Sequence, residues 1–259
     1  MRVYKALEKA EREQKRETQG SEGLWNVVIP EQPDVASQGQ GTAALGDLKK
    51  NRRLAEYQKL RGALQSIPEA RRGRGIVVCS SVQGEGASTV AADLASICAL
   101  HNGAKVLLVD AAIRHPNVHR RFRITRQPGL ANVLEEGRPL SEKEISKSRV
   151  PGLFLLPAGD SRLDPTTALE SERCKIMLCR LGEAYDYVIL DSGPVHSCPE
   201  TLALAEQASG VVLVVRAERT RVEVVQAARD QLLSRGAHLC GVVLNRRKYY
   251  IPGFIYRRL

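Results

Sequence analysis

The clearest chemistry in this chain lies in ten consecutive residues, Ser80-Ser81-Val82-Gln83-Gly84-Glu85-Gly86-Ala87-Ser88-Thr89. An apolar string, Ile76–Cys79, precedes them and a helical pattern follows from Val90. A glycine-rich loop between a buried strand and a helix is the setting in which a backbone can cradle phosphate. Gly84 and Gly86 permit the angles that turn successive N–H groups toward one anion. The helix start adds unpaired N–H groups and the positive end of its dipole. The amides of Gln83, Gly84, Glu85, Gly86, Ala87, Ser88 and Thr89 are therefore the candidate phosphate-binding set, with Ser88 or Thr89 placed to offer a hydroxyl to Mg²⁺. An ordinary glycine-rich turn is the competing reading. The loop pattern also asks for a lysine between Gly86 and Ser88, where this chain has Ala87. Such a lysine follows charge as it develops on a transferred phosphoryl group, through a hydrogen bond worth about 1.5–3 kcal/mol. Losing a preorganised transition-state donor costs roughly 10²–10³ in rate. Binding of a diphosphate is expected to survive where transfer fails.

Two further strand-like strings end in carboxylates. Val106–Val109 runs into Asp110-Ala111-Ala112-Ile113-Arg114, and Val188–Leu190 into Asp191-Ser192-Gly193-Pro194. An aspartate at a strand end beside a phosphate loop can hold Mg²⁺. Ser88, Asp110 and Asp191 are thus the metal candidates, and the two aspartates the candidate catalytic residues, through their handling of Mg²⁺ and phosphate. Capping of the following turn is the plainer alternative for each.

What must position these groups is a regular alternation that begins at Gly75. Strand-length strings occur at Ile76–Cys79, Val106–Val109, Leu153–Leu156, Val188–Leu190, Val211–Val215 and Val242–Leu244, with helical patterns at 88–101, 130–136, 168–183, 200–208 and 221–234. Near-continuous Val, Ile and Leu mean strands covered on both faces. Alternation with helices predicts a three-layer, doubly wound, mostly parallel α/β sheet, whose ligand site lies at the carboxyl ends of the strands. Before this domain, placed at 49–245, the chain reads as a helical arm at 1–29 and a linker at 30–48 rich in Pro, Gly, Gln and Ser. After it comes a basic tail at 246–259.

Composition narrows the class. The chain has 259 residues with 43% apolar and 26% charged, enough for a full core, and only 4% aromatic, so that core is aliphatic. No apolar run approaches a membrane span, and the charged opening MRVYKALEKAERE lacks the apolar stretch of a secretory signal. The six cysteines show no CxxC or zinc spacing and read as reduced core thiols. His115, His119 and His196 share no ligand spacing with them. The net charge of +10 is concentrated in two flanks: residues 49–74 hold nine basic against two acidic residues, and residues 235–259 six basic and none acidic. Such flanks suit an anionic membrane surface or an acidic partner, or are simply solvated. Nucleic acid is disfavoured, because no aromatic platform is interleaved with the charge.

Taken together, these motifs resemble the bacterial tyrosine kinases (BY-kinases) of exopolysaccharide and capsule assembly, within the MinD/ParA-like P-loop ATPases. The resemblance runs from about Glu56 to Tyr256. It rests on Ser80–Thr89, on Val106–Arg114 (the family's D-x-D-x-R), on Val188–Pro194, and on the segments Pro128-Gly129-Leu130, Leu156-Pro157-Ala158-Gly159 and Val242-Val243-Leu244-Asn245. It implies ATP or ADP with Mg²⁺ as cofactors, Arg114 near phosphate, Asn245 near an adenine, and a homo-oligomer assembled through the helix that contains Glu56-Tyr57-Gln58-Lys59-Leu60-Arg61. It also implies docking on the cytosolic tail of a membrane chain-length protein, and phosphorylation of Tyr249, Tyr250 and Tyr256 in the tail. The opening Val3-Tyr4-Lys5-Ala6-Leu7 resembles members made as separate cytoplasmic chains, which work at the inner face of the cell membrane.

The departures shape the expectation. Ala87 replaces the loop lysine, Ala112 the second aspartate of D-x-D-x-R, and of the helix motif E-x-x-R-x-x-R only Arg61 remains. The expected protein is a nucleotide-binding regulator of polysaccharide assembly with impaired transfer. Rescue by Lys105, Arg114 or a neighbouring subunit would instead leave an active autokinase. A MinD/ParA-like positioning ATPase is the third reading.

Overall fold

A computed structural model of the chain describes residues 25–30, 53–64, 67, 75–160 and 162–247. In chain order the elements are β1 (Trp25–Pro30), α1 (Arg53–Leu64), β2 (Ile76–Ser80), α2 (Ala87–Ala99), β3 (Val106–Asp110), α3 (Val118–Phe122), α4 (Leu130–Glu136), β4 (Ser146–Lys147), β5 (Leu153–Leu156), α5 (Pro165–Glu170), α6 (Glu172–Ala184), β6 (Tyr187–Pro194), α7 (Pro199–Gln207), β7 (Gly210–Arg216), α8 (Val222–Ser234) and β8 (Leu239–Arg247). The strands form one sheet in the order β1-β8-β7-β2-β6-β3-β5-β4. All neighbours pair in parallel except β4, which runs antiparallel along β5.

Each expected strand is present, for the expected reason: the central strings are buried on both faces. Alternate side chains of β2 face opposite layers. Val77 and Cys79 join Leu130, Leu169, Leu178, Leu204 and Leu232 from α4 through α8. Ile76 and Val78 join Tyr57 and Leu60 of α1 and Leu94 of α2. Cys79, Cys98, Cys174 and Cys198 are buried and all six cysteines are free, with burial pushing the thiols of Cys79, Cys98 and Cys174 up to about 12. Among the described residues no helix is long and apolar enough to cross a membrane.

The structure differs from the sequence reading in several places, the short antiparallel strand β4 among them. Residues 25–30, expected to end the helical arm at 1–29 and begin the linker at 30–48, form a strand along β8, with Asn26 opposite Val242 and Val27 opposite Val243; a β-branched run covers what would be an open sheet edge. Residues 1–24 and most of the linker lie outside the described residues. The single helix expected at 168–183 is two, α5 and α6, divided at Ser171, which adopts extended backbone and caps α6 through Cys174 N. The short helix α3 was not expected. The last strand continues to Arg247, two residues beyond the expected domain end.

Chain order does the positioning. From β2 the chain crosses over β6 to enter β3, so the carboxyl ends of β2, β6 and β3 lie side by side. Asp110 is in register with Asp191, and Ser80 with Pro194. Three motifs far apart in sequence meet at this switch point.

Candidate functional site

Gly84 and Gly86 both take left-handed angles, φ +87° and +95°. Gly86 stands at the N-cap of α2, and its hydrogen-for-methyl matters: a Cβ there would lie 2.3 Å from Asn245 Nδ2. That amide donates to Glu85 O at 2.8 Å, while Asn245 Oδ1 accepts from Arg246 N at 2.9 Å. The end of β8 thus buttresses the loop. Glu85 fastens it from within. One carboxylate oxygen accepts from Ser81 N (2.7 Å) and Val82 N (2.9 Å). The other accepts from Arg216 N (3.2 Å) and the Thr220 hydroxyl. The side chain is fully buried, and its four donors come from the loop and from the β7–α8 turn. Thr89 N and Val90 N bond back to Gly86 O and begin the helix. Among the described residues the amides of Gly84, Gly86, Ala87 and Ser88 have no acceptor, while Glu85 N closes a turn over Gln83 and Gly84. The loop is therefore a row of open N–H groups, shaped by its own glutamate rather than filled by it.

Asp110 and Asp191 close the other side. Both are completely buried. Asp110 Oδ2 accepts from Asn117 N and Val118 N, each at 2.9 Å, and so caps α3. Burial pushes the Asp110 carboxyl up to about 6 against the pull of those amides. Burial, reinforced by the charge of Asp110, holds Asp191 well above the usual carboxylate range; the nearby Ser88 hydroxyl and the charge of Arg121 oppose this without overcoming it. Asp110 Oδ1 and both Asp191 oxygens lack a well-formed hydrogen bond. Among the described residues no three His, Cys, Asp or Glu side chains gather as a metal cluster. Two carboxylates with unsatisfied oxygens beside a hydroxyl are a donor set suited to Mg²⁺, which typically takes one or two carboxylates plus phosphates and water.

The other predicted residues fall as follows. Ala87 opens α2 with its methyl buried, and Ala112 is buried beyond Asp110. Arg114 is held by two carboxylates, Nε to Glu200 at 2.9 Å and Nη2 to Asp164 at 3.0 Å. Lys105 stands at the amino end of β3, opposite the loop, over the rings of Tyr185 (4.8 Å) and Phe154 (5.8 Å), so it does not replace the missing lysine. Asn245 holds the loop backbone. Tyr249, Tyr250 and Tyr256 lie outside the described residues. Sequence reasoning missed the anchoring role of Glu85 and missed Glu200, whose only local signal was an acidic residue in the first turn of α7. It also missed the tie between the loop helix and α1: Asp93 of α2 accepts from Tyr57 Oη at 3.1 Å and from Arg121 at 2.6 Å.

Comparison with known proteins agrees with this geometry. No protein-family model matches the chain. The tyrosine-protein kinase YwqD of Bacillus subtilis is 31% identical over 193 residues, which is 74% of this chain and 81% of YwqD. The putative tyrosine-protein kinase EpsB of Ralstonia solanacearum is 32% identical over 192 residues, but these are 74% of this chain and only 25% of that longer protein. Among solved structures, the chimerical protein CapA2B2 superposes with a TM-score of 0.77 over 92% of this chain and 100% of its own, at 24% identity, which speaks for the fold.

Proposed function

The chain belongs to the bacterial tyrosine-protein kinase family, and on that premise we propose that it is a nucleotide-binding member with impaired phosphoryl transfer, which regulates capsule or exopolysaccharide assembly through a membrane partner. The observation that carries this reading is the set of open amides at Gly84, Gly86, Ala87 and Ser88 with the Ala87 methyl in its midst. The amides can hold the oxygens of a diphosphate. Ser88, Asp110 and Asp191 would hold Mg²⁺, which supplies charge neutralisation between phosphates. Nothing on Ala87 can follow charge as it moves to a leaving group. Arg114 is engaged by Glu200 and Asp164, and Arg121 by Asp93. Binding without transfer is what this set of groups favours.

The regulatory role and the membrane partner are supported by the family resemblance, as is oligomerisation through α1, whose Tyr57 is tied to the loop helix. The test is calorimetric titration of the purified chain with ATP and ADP, with and without Mg²⁺, followed by mass spectrometry of the tail after incubation with Mg·ATP. Mg²⁺-dependent binding with no phosphate on Tyr249, Tyr250 or Tyr256 is expected. Ala87→Lys should tighten ATP binding by roughly ten- to a hundredfold, the equivalent of one charge-assisted hydrogen bond. Phosphate on those tyrosines in the unaltered chain would make it an active autokinase. Absence of nucleotide binding would make it a scaffold.

A further inference from the structure

At the end of the sheet away from the glycine loop, a groove of about 420 Å³ runs between α6 and the segment that follows α4. Its floor is apolar: Leu134 and Leu181 are buried, Met177 nearly so, and Ile176 stands 47% exposed on the rim. Arg173 and Arg180 project from the same stripe of α6, one on each side of Ile176 and Met177. Neither has a carboxylate partner among the described residues, whereas Arg138 on the opposite wall is neutralised by Glu136 and Glu144. Lys105 adds a third cation at the far end, and Glu142 is the carboxylate left to answer the three. Arg173 also lies close against the end of α4. Gly137 ends α4 in the left-handed region, and a Cβ there would lie 2.4 Å from Arg173 Nη1, so the glycine makes room for the guanidinium over the helix end.

We propose that this groove docks an acidic, apolar-anchored peptide segment of a partner protein. Charge selects the partner: a recessed apolar floor between unpaired guanidiniums complements carboxylates that flank an aliphatic or aromatic side chain. Shape selects a peptide over a bilayer, because a lipid surface cannot follow a two-walled cleft. Spacing sets the pattern. Arg173 and Arg180 lie seven residues apart on α6, about 10 Å along the axis. Acidic residues three apart in an extended peptide (about 3.3 Å per residue) or seven apart in a helix match that distance. The site leaves the switch point of the sheet free, and it does not depend on the nucleotide reading.

The experiment selects peptides from a random twelve-residue display library on the full chain and measures the binding of labelled winners by fluorescence polarisation. The expected winners carry two acidic residues about an apolar one and weaken tenfold or more against R173E/R180E; R173Q/R180Q, which removes the charges without setting a carboxylate over the end of α4, should weaken them as well and keep the parent's melting temperature. The same peptides with lysine for their acidic residues should bind R173E/R180E and not the parent. The proposal is overturned if no peptide is enriched, if winners bind the variant as tightly as the parent, or if they lack acidic residues. It is also overturned if the substitutions abolish binding to phosphatidylglycerol vesicles instead, or dissolve a dimer seen by sedimentation.

Discussion

The glycine loop owes its shape to one buried carboxylate, and replacing Glu85 by glutamine isolates that debt. Four donors converge on two oxygens: Ser81 N and Val82 N on one, Arg216 N and the Thr220 hydroxyl on the other. Glutamine keeps the size and loses one acceptor. If its NH₂ faced Ser81 and Val82, two backbone N–H groups would be orphaned. If it faced the β7–α8 turn, the Thr220 hydroxyl could rotate to accept, leaving Arg216 N alone unpaired. The second arrangement is cheaper, at about 1–3 kcal/mol for one buried unsatisfied donor. For a domain of this size that is a fall of roughly 2–12 °C in Tm. Glu85→Ala orphans all four donors at once and should cost more. Thermal unfolding followed by circular dichroism gives the stability, and titration with ADP gives the state of the amides. The order expected is parent, Glu85→Gln, Glu85→Ala, with ADP affinity falling in the same sequence. A Glu85→Gln variant that melts within 1 °C of the parent and binds ADP equally would refute the claim that this carboxylate shapes the loop.

Asp191 and Asp110 oppose each other on neighbouring strands without solvent, so Asp191→Asn should raise Tm in Mg²⁺-free buffer, by about 1–3 kcal/mol of relieved burial and repulsion, while abolishing the Mg²⁺-dependent gain in nucleotide affinity; a lower Tm would count against the pairing. Gly86→Ala must adopt φ near +95° and displace the Asn245 amide, at about 1–2 kcal/mol for the backbone plus a lost hydrogen bond, and should abolish nucleotide binding. Gly84→Ala meets open space and should suffer the backbone cost alone, so equal losses in the two variants would contradict the buttress. Glu144 supplies a pH dependence. Burial would raise its carboxyl, but hydrogen bonds from Arg138 and Ser141 outweigh it and bring the group from 4.5 to about 2. The folded form therefore gains stability that is fully present above pH 4.5 and lost as pH falls toward 2. Screening around the part-exposed Arg138 limits this to about 1–2 kcal/mol, and Glu144→Gln should flatten the acid limb of a urea-unfolding series over that window.

What was legible in the sequence and what was not divide along contact distance. The strands declared themselves because burial on both faces leaves an unbroken aliphatic string, as in Val211–Val215. Gly84, Gly86 and the strand-end aspartates were legible because their roles follow from the immediate neighbourhood, a strand before and a helix after. Glu85 was not, since half of its function lies 131 and 135 residues away at Arg216 and Thr220. Asn245 bonds across 160 residues, and Arg114 finds Glu200 across 86; no local pattern records such partners. Residues 25–30 carried a β-branched run inside a polar stretch, and only the exposed edge of β8 gives that run a place to pair.

Asp110 shows why the sequence could pose a question that it could not answer. Capping and metal binding stood there as rival readings of one aspartate. The structure divides them between its two oxygens: Oδ2 takes the amides of Asn117 and Val118, and Oδ1 is left without a well-formed hydrogen bond. The cap explains why a helix as short and as poorly patterned as Val118–Phe122 forms at all. It also fixes the carboxylate plane, so the second oxygen is aimed rather than free to turn. The same helix carries Arg121 to Asp93, and Asp93 in turn holds Tyr57. A group drawn to Oδ1 would therefore act on a carboxylate whose other oxygen is bonded, through α3 and α2, to Tyr57 of α1.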